Sequence, residues 1–461
     1  MNKLTAYIDD NQDRFVEELF DFLRIPSIST IPSHKSDIEK AALFVKDKLL
    51  AAGAESAYVI PTEGNPLVFG EKIIDPNLPT ILVYGHYDVQ PVDPLHLWDT
   101  PPFQPTLRKG KIYARGASDD KGQVYMHIKV LEAMMATGTL PCNIKFLIEG
   151  EEEVGSTNIS HFIAKEENQK RVSADVVLVS DTTVLDMDTP SIVTGLRGII
   201  TYQLDVKGPS QDLHSGSYGG AVANPAEMLC RIIAQLKDKE GHISVPAFYD
   251  DVVSHSKKER EAINQRPFNL TKYKKNLGIK DIFGEKGYTT LERTGIRPTL
   301  EVNGISGGYS GEGIKTVLPS KAFAKISVRT VAHQDSRRIT QLLQNYIKTI
   351  TPKGVEVTLT RLDQEDHKPF LANIKGKGIE AACQAFQTVW GKCPHWMLEG
   401  GSIPILATFQ HKLDTEVVNL GFGLDTDRIH SPNEHFGLAN FMMGIKTIAA
   451  FHTCFAEQMK K

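Results

Sequence analysis

The sequence predicts an α/β protein: a discontinuous domain with a mostly parallel sheet, interrupted by an inserted ferredoxin-like α+β domain. Three observations predict it. Before residue 196, β-branched runs of strand length (TILVYGHYDV, CNIKFLIEG and ADVVLVSD) surround a helical segment, and alternating strands and helices argue a largely parallel sheet. From about residue 198 the order reads strand, helix, strand, strand, helix, strand, the ferredoxin-like β-α-β-β-α-β pattern. After about residue 376 the first texture returns. The expected domains are therefore 1–196, 197–376 and 377–461, the first and last forming one body.

RFVEELFDFLRI spaces its apolar residues at helical intervals and stops before Pro26. KGQVYMHIKVLEAMMATG reads as a helix ending near Gly138. The three β-branched runs are too apolar for a solvated edge and read as buried strands. In the middle domain, GIITYQLDVKG, PTLEVNGI, SKAFAKISVRTV and GVEVTLTRL read as strands, while NPAEMLCRIIAQLKD and SRRITQLLQNYIKTIT read as helices. A polar, Lys-rich insertion around residues 240–297 separates the first helix from the second strand, and its SKKERE and TKYKK runs read as solvated loop. The tail supplies a helix in IEAACQAFQTVWG, a strand in VVNLGFG and a long final helix.

At 461 residues, two cores are the natural expectation. A hydrophobic content of 41%, a charged content of 23% and a net charge of -4 describe a globular protein with no broad basic surface. Nucleic acid and membrane partners are accordingly not expected. The N-terminus lacks an apolar export core, and the five dispersed cysteines show no CxxC pairing. A cytoplasmic protein with reduced thiols is expected, without a thiolate metal site.

Six segments concentrate imidazole and carboxylate beside turn residues: YGHYDVQ, ARGASDDKG, EGEEEVGS, LVSD, DLHSGSYGG and DTDRIHSPNE. In a strand, residues two apart share a face, so His86 and Asp88 lie side by side. Alone, that pair is a weak signal and a hydrogen-bonded surface pair is its plainer reading; as a site it is a metal-bound imidazole with its orienting carboxylate. Asp119 and Asp120 precede a helix, so one can cap it while the other binds cations. Glu149, Glu151, Glu152 and Glu153 crowd one strand end, a costly cluster unless solvent or metal relieves it; their spacing does not separate ligand from base. Asp181 ends a buried strand, and His214 and His430 lie in loops where an exposed histidine is the plainer reading. Jointly, the segments suffice for two divalent metals and a free base.

In this order, the motifs resemble the di-zinc metallopeptidases grouped with carnosinase, carboxypeptidase G, aminoacylase and succinyl-diaminopimelate desuccinylase. The stretch YGHYDVQPVDPLHLWDTPPFQPTLRKGKIYARGASDDKGQ is most similar to the carnosinase-like cytosolic dipeptidases. The resemblance implies a zinc-peptidase catalytic domain with an inserted lid, or dimerisation, domain. It implies that His86 and Asp181 bind one metal, Glu153 and His430 the other, and that Asp119 bridges them across a cis peptide to Asp120. Asp88 would orient His86, and Glu152 would be the general base. His214 would reach the site of a second subunit in a homodimer and polarise the scissile carbonyl there. Arg329 would hold the substrate carboxylate, with Thr316, Gly401 and Ser402 as further substrate contacts. Glu151 departs from the family pattern, and would either tune the base or face solvent. Asp119, Glu153, Asp181 and a bridging hydroxide balance two Zn²⁺, and Mn²⁺ or Co²⁺ suit the same nitrogen and oxygen donors. The expected reaction is hydrolysis of the amide bond of dipeptides or short peptides with a free C-terminal carboxylate. An N-acyl-amino-acid amidohydrolase is the alternative, and a non-catalytic binding protein the remote one.

Overall fold

Four strands run parallel in the order Asn143–Glu149, Thr80–His86, Val176–Val179 and Glu416–Asn419. Their residues are almost all buried, which is why they read as continuous apolar runs. The computed structural model describes residues 2–363 and 366–461. The expected largely parallel sheet is in fact mixed. Ser56–Ile60 and Leu67–Lys72 add antiparallel strands beside Asn143–Glu149, and Ser191–Leu196 meets Asn419 antiparallel at Val193 on the other side. The first two are short and flanked by turns, so no long apolar run announces them in the sequence.

The chain divides into two compact units. One comprises residues 1–194, 372–397 and 405–461; the other comprises residues 195–371 and 398–404. The return of residues 398–404 to the second unit departs from the expected boundaries.

In the first unit, helix Lys121–Thr137 is buried nearly all round and packs against the final helix, Leu438–Met459. Its buried set includes Lys121, Gln123, His127 and Lys129 alongside the apolar residues, so the helix is enclosed by its neighbours although it is not apolar all round. Gly138 ends it at φ 65°, a left-handed cap that glycine adopts without steric cost. Asp120 occupies its N-cap position, but its side chain makes no capping hydrogen bond, so the capping role expected for one of the two aspartates is not filled that way.

The second unit carries a four-stranded antiparallel sheet in the order Thr299–Gly307, Lys321–Thr330, Gly198–Lys207 and Glu356–Arg361. Alternate residues of Gly198–Lys207 and Lys321–Thr330 are buried, and helices Pro225–Gln235 and Ser336–Ile350 contribute to the same core through Leu229, Ile232, Ile339 and Leu343. The charged insertion is not the solvated loop expected. It forms helices Lys257–Asn264, Leu270–Leu277 and Thr290–Gly295. Ser256 and Thr289 each form a reciprocal capping box with the glutamate three residues on, and that local chemistry starts a helix despite the charge run. Among the described residues, no helix is long and apolar enough to cross a membrane.

Candidate metal centre

Strand register sets the first pair of site residues. Tyr84 lies opposite Val179 in a parallel pair, so two residues further on His86 and Asp181 emerge at the same level. His86 lies opposite Glu149, which brings the acidic turn that follows to the same edge. Ligands of open α/β sheets gather at this carboxyl edge of the strands.

His86 Nε2 lies 3.1 Å from Asp119 Oδ1 and 3.8 Å from Asp181 Oδ2. His430 Nε2 lies 2.9 Å from Asp119 Oδ2 and 3.2 Å from Glu153 Oε2. The side chains thus form two adjacent ligand-sized groups, His86–Asp119–Asp181 and Asp119–Glu153–His430, that share Asp119. The Asp119–Asp120 peptide is cis.

The tail reaches this cluster by pairing. Strand His435–Gly437 runs antiparallel to Lys111–Tyr113 and carries the preceding loop, with His430 at φ 59°, onto the first part of the chain. Asp88 does more than orient its neighbour. Its backbone oxygen lies 3.0 Å from His86 Nδ1 and its Oδ1 3.3 Å. Its two carboxylate oxygens also accept the backbone N–H groups of Glu152 and Glu153, each at 3.2 Å. One aspartate therefore fixes both a histidine and the turn that presents two glutamates.

Glu151 is neither solvent-facing nor aimed at the cluster. It accepts hydrogen bonds from Asn65 N at 2.8 Å and Asn158 Nδ2 at 2.5 Å, stapling the turn to two neighbouring segments. Glu149 accepts from the Tyr84 hydroxyl and from Ser156. Gln90 and Glu434 join the site without having stood out in the sequence. Gln90 Nε2 donates to Glu153 Oε2 at 2.8 Å, and its signal is its position two residues beyond Asp88 on the same extended segment. Glu434 closes the same motif as His430, but nothing in its spacing distinguishes a buried acceptor from a surface glutamate.

The donor set fits divalent cations. Asp88 O can only accept, so Nδ1 of His86 donates to it, and a neutral His86 turns the lone pair of Nε2 toward Asp119. Two acceptors face each other stably only with a proton or a metal cation between them, and a bound cation would take the proton's place. Glu153 Oε1 is buried without a hydrogen-bond partner among the described residues, the kind of atom that asks for an ion. Burial, then neighbouring carboxylates, raise Glu152, Glu153 and Asp181 above the usual carboxylate range. Hydrogen bonds with Asp119 and then Glu153 raise His430 to about 10. Burial would lower His86, but Asp119 and Asp88 outweigh it and raise it. The cluster is short of positive charge, and divalent ions held by His86, Asp119, Glu153, Asp181 and His430 would supply it.

The remaining expected residues belong to the second unit. His214 lies opposite Val317 in a short antiparallel pair, next to exposed Thr316, whose carbonyl accepts from Ser215 N. Its Nδ1 accepts the N–H groups of Gly216 at 3.1 Å and Ser217 at 3.2 Å. That leaves Nε2 as the nitrogen that carries the proton and can donate. Arg329 Nη1 donates to Ser402 Oγ at 2.7 Å, and Ser402 in turn donates to the Arg197 carbonyl. The carbonyl of Gly401 accepts from Arg197 N at 3.1 Å. Arg329, Gly401 and Ser402 therefore gather around Arg197, and burial holds the Arg329 guanidinium below its ordinary value.

Residues 82–453 match the model of peptidase family M20/M25/M40, and the chain belongs to that family. It is 33% identical over 98% of its length to the Cys-Gly metallodipeptidase DUG1 of Saccharomyces cerevisiae, of which 97% is covered. It is 32% identical over 98% of its length to the Beta-Ala-His dipeptidase of Homo sapiens, of which 92% is covered. Among solved structures it is similar to human carnosine dipeptidase 1, with a TM-score of 0.85 at 31% identity over 99% of this chain and 98% of that one. It is also similar to the metallo-carboxypeptidase Sso-CP2 of Sulfolobus solfataricus, with a TM-score of 0.86 at 31% identity over 96% and 99% of the two chains. The chain is thus a metallopeptidase with the mixed α/β fold of that family.

Proposed function

We propose that this chain is a dinuclear metal dipeptidase that hydrolyses the amide bond of dipeptides with a free C-terminal carboxylate, with zinc as the resident metal. The observation that carries the reading is the pair of ligand groups sharing Asp119, with Glu152 on the adjoining turn. Full-length similarity to two dipeptidases supports the substrate class.

His86 and Asp181 would hold one ion, Glu153 and His430 the other, and Asp119 both. Divalent cations bound there supply Lewis acidity, acidifying a water and polarising the amide carbonyl. Glu152 takes the proton of the attacking water and returns it to the leaving amine. Asp88 keeps His86 in the tautomer that presents Nε2 and keeps Glu152 in place. His214, donating from Nε2, stabilises the developing oxyanion in the site of a second copy, with the middle domain acting as lid and dimerisation surface. Arg329, steadied by Ser402, grips the substrate carboxylate, with Thr316 and Gly401 beside the bound peptide. The setting proposed is cytoplasmic, where the five thiols, all unpaired, stay reduced.

A second reading, removal of single C-terminal residues from longer peptides, is favoured by the likeness to the Sulfolobus solfataricus carboxypeptidase. A carboxylate anchor serves both. The test is a panel of dipeptides, C-amidated dipeptides, tripeptides and N-acyl amino acids assayed on zinc-loaded protein. Cleavage of dipeptides with loss on amidation is expected. Turnover confined to acylated amino acids would make it an amidohydrolase, and equal turnover of longer peptides would make it a carboxypeptidase.

A further inference from the structure

A buried glutamate joins the two loops that bring Asp119 and His430 together. Glu434 lies four residues after His430 and is fully shielded from solvent. Its Oε1 accepts the N–H groups of Ser118 at 3.0 Å and Asp119 at 3.1 Å. Its Oε2 accepts Gly116 N at 3.1 Å and Arg115 Nη1 at 2.6 Å. Both oxygens thus sit in a nest of backbone donors on the loop that ends at the shared ligand, closed by the equally buried Arg115. A second tie runs parallel: Ser118 Oγ donates to Asp427 Oδ2, in the tail loop, at 3.2 Å.

We infer that Glu434 is a positioning residue for the metal pair: it locks the Asp119 loop to the His430 loop, and so sets the separation of the ligands on which both ions depend. The inference rests on the dinuclear reading above. A carboxylate is required because all four groups facing it are donors; an amide in its place would turn its own N–H₂ toward two of them. An aspartate keeps the charge but draws it back by one methylene, away from the nest.

The test is calorimetric titration of Zn²⁺ alone into chelator-treated full-length protein, wild type against Glu434→Asp and Glu434→Gln, with the melting temperature of each metal-free protein measured in parallel. Removing a group that orients metal ligands typically weakens metal binding about 10- to 100-fold, and a loss of that size is expected in both variants. A lower melting temperature with zinc affinity unchanged would reduce Glu434 to a structural role and overturn the inference. Hydrogen exchange on the wild type needs no variant: zinc should slow exchange at the N–H groups of Gly116, Ser118 and Asp119, and unchanged exchange there would overturn it equally. A wild type that binds no pair of ions would sink the dinuclear reading itself, which is a different result from a wild type that binds two while the variants do so equally well.

Discussion

Glu152 and Glu153 are adjacent in the chain, yet the structure separates their surroundings. Glu153 lies against His430 and Gln90, whereas no hydrogen bond of the Glu152 carboxylate competes with a water proton among the described contacts. Replacing Glu152 by glutamine is expected to lower kcat by about 10²- to 10⁴-fold, the usual contribution of a general base, while metal content measured by mass spectrometry stays at the wild-type level. Loss of metal together with activity would instead make Glu152 a ligand. Arg329→Lys is expected to lower kcat/KM for dipeptides by about 10-fold or more, because a point charge replaces a paired fork, and to change C-amidated dipeptides little. An equal loss on both substrates would remove the carboxylate from the role of Arg329's partner. At this scale the sequence shows which residue types are present and, through period-two spacing, that His86 and Asp88 are neighbours. It does not show that Asp88 also holds the Glu152–Glu153 turn, or that Glu151 is a staple, because those contacts depend on backbone N–H groups and on segments such as Asn65 that carry no motif.

At the scale of elements, the site depends on close approach between strand Thr80–His86 and the start of helix Lys121–Thr137. A Cβ on Gly85 would lie 2.1 Å from Val124 Cγ2 and 2.7 Å from Asp120 Oδ2. Gly85→Ala is therefore expected to push the helix start away and to weaken zinc binding along with thermal stability; a variant that binds zinc normally would show the approach to be slack. In the insertion, Glu292 is held down to about 2, first by its hydrogen bond from Arg260. A carboxylate lowered in the folded state contributes stability above its unfolded value of about 4.3 and loses it as pH falls toward 2. Glu292→Gln should therefore flatten the fall in melting temperature between about pH 4.5 and pH 2, and an unchanged acid profile would contradict that. The insertion also marks where pattern reading fails. Its helices are solvated and bury little, so no apolar period announces them; the capping boxes at Ser256 and Thr289 are the legible signal. The long buried strands are legible because burial on both faces leaves a near-continuous apolar run, and the helix ending at Gly138 is legible from its length and its glycine stop.

At the scale of the whole molecule, metal and stability are linked. Ions that bind only the folded chain stabilise it by about 2.7 kcal/mol per site at a free concentration of 100 times Kd, so chelation should lower the melting temperature and zinc should restore it. A melting temperature indifferent to chelator would argue against resident metal. The site proposed to be shared between copies has its own test. Mixing His214→Ala with Glu152→Ala protein should restore part of the activity that each lacks alone, and no recovery after subunit exchange would place His214 in the site of its own chain or outside the chemistry. The return of α/β texture after residue 376 makes a discontinuous first domain legible. The excursion of residues 398–404 into the second unit is not, because so short a stretch carries no period of its own and its placement shows only in contacts such as the hydrogen bonds among Arg329, Ser402, Gly401 and Arg197.

The central claim is that Asp119 is shared by two bound cations. Anomalous diffraction from crystals of zinc-loaded protein tests it most directly. Two peaks per chain are expected, one among His86, Asp119 and Asp181 and one among Asp119, Glu153 and His430. A single peak, or peaks away from Asp119, would contradict it.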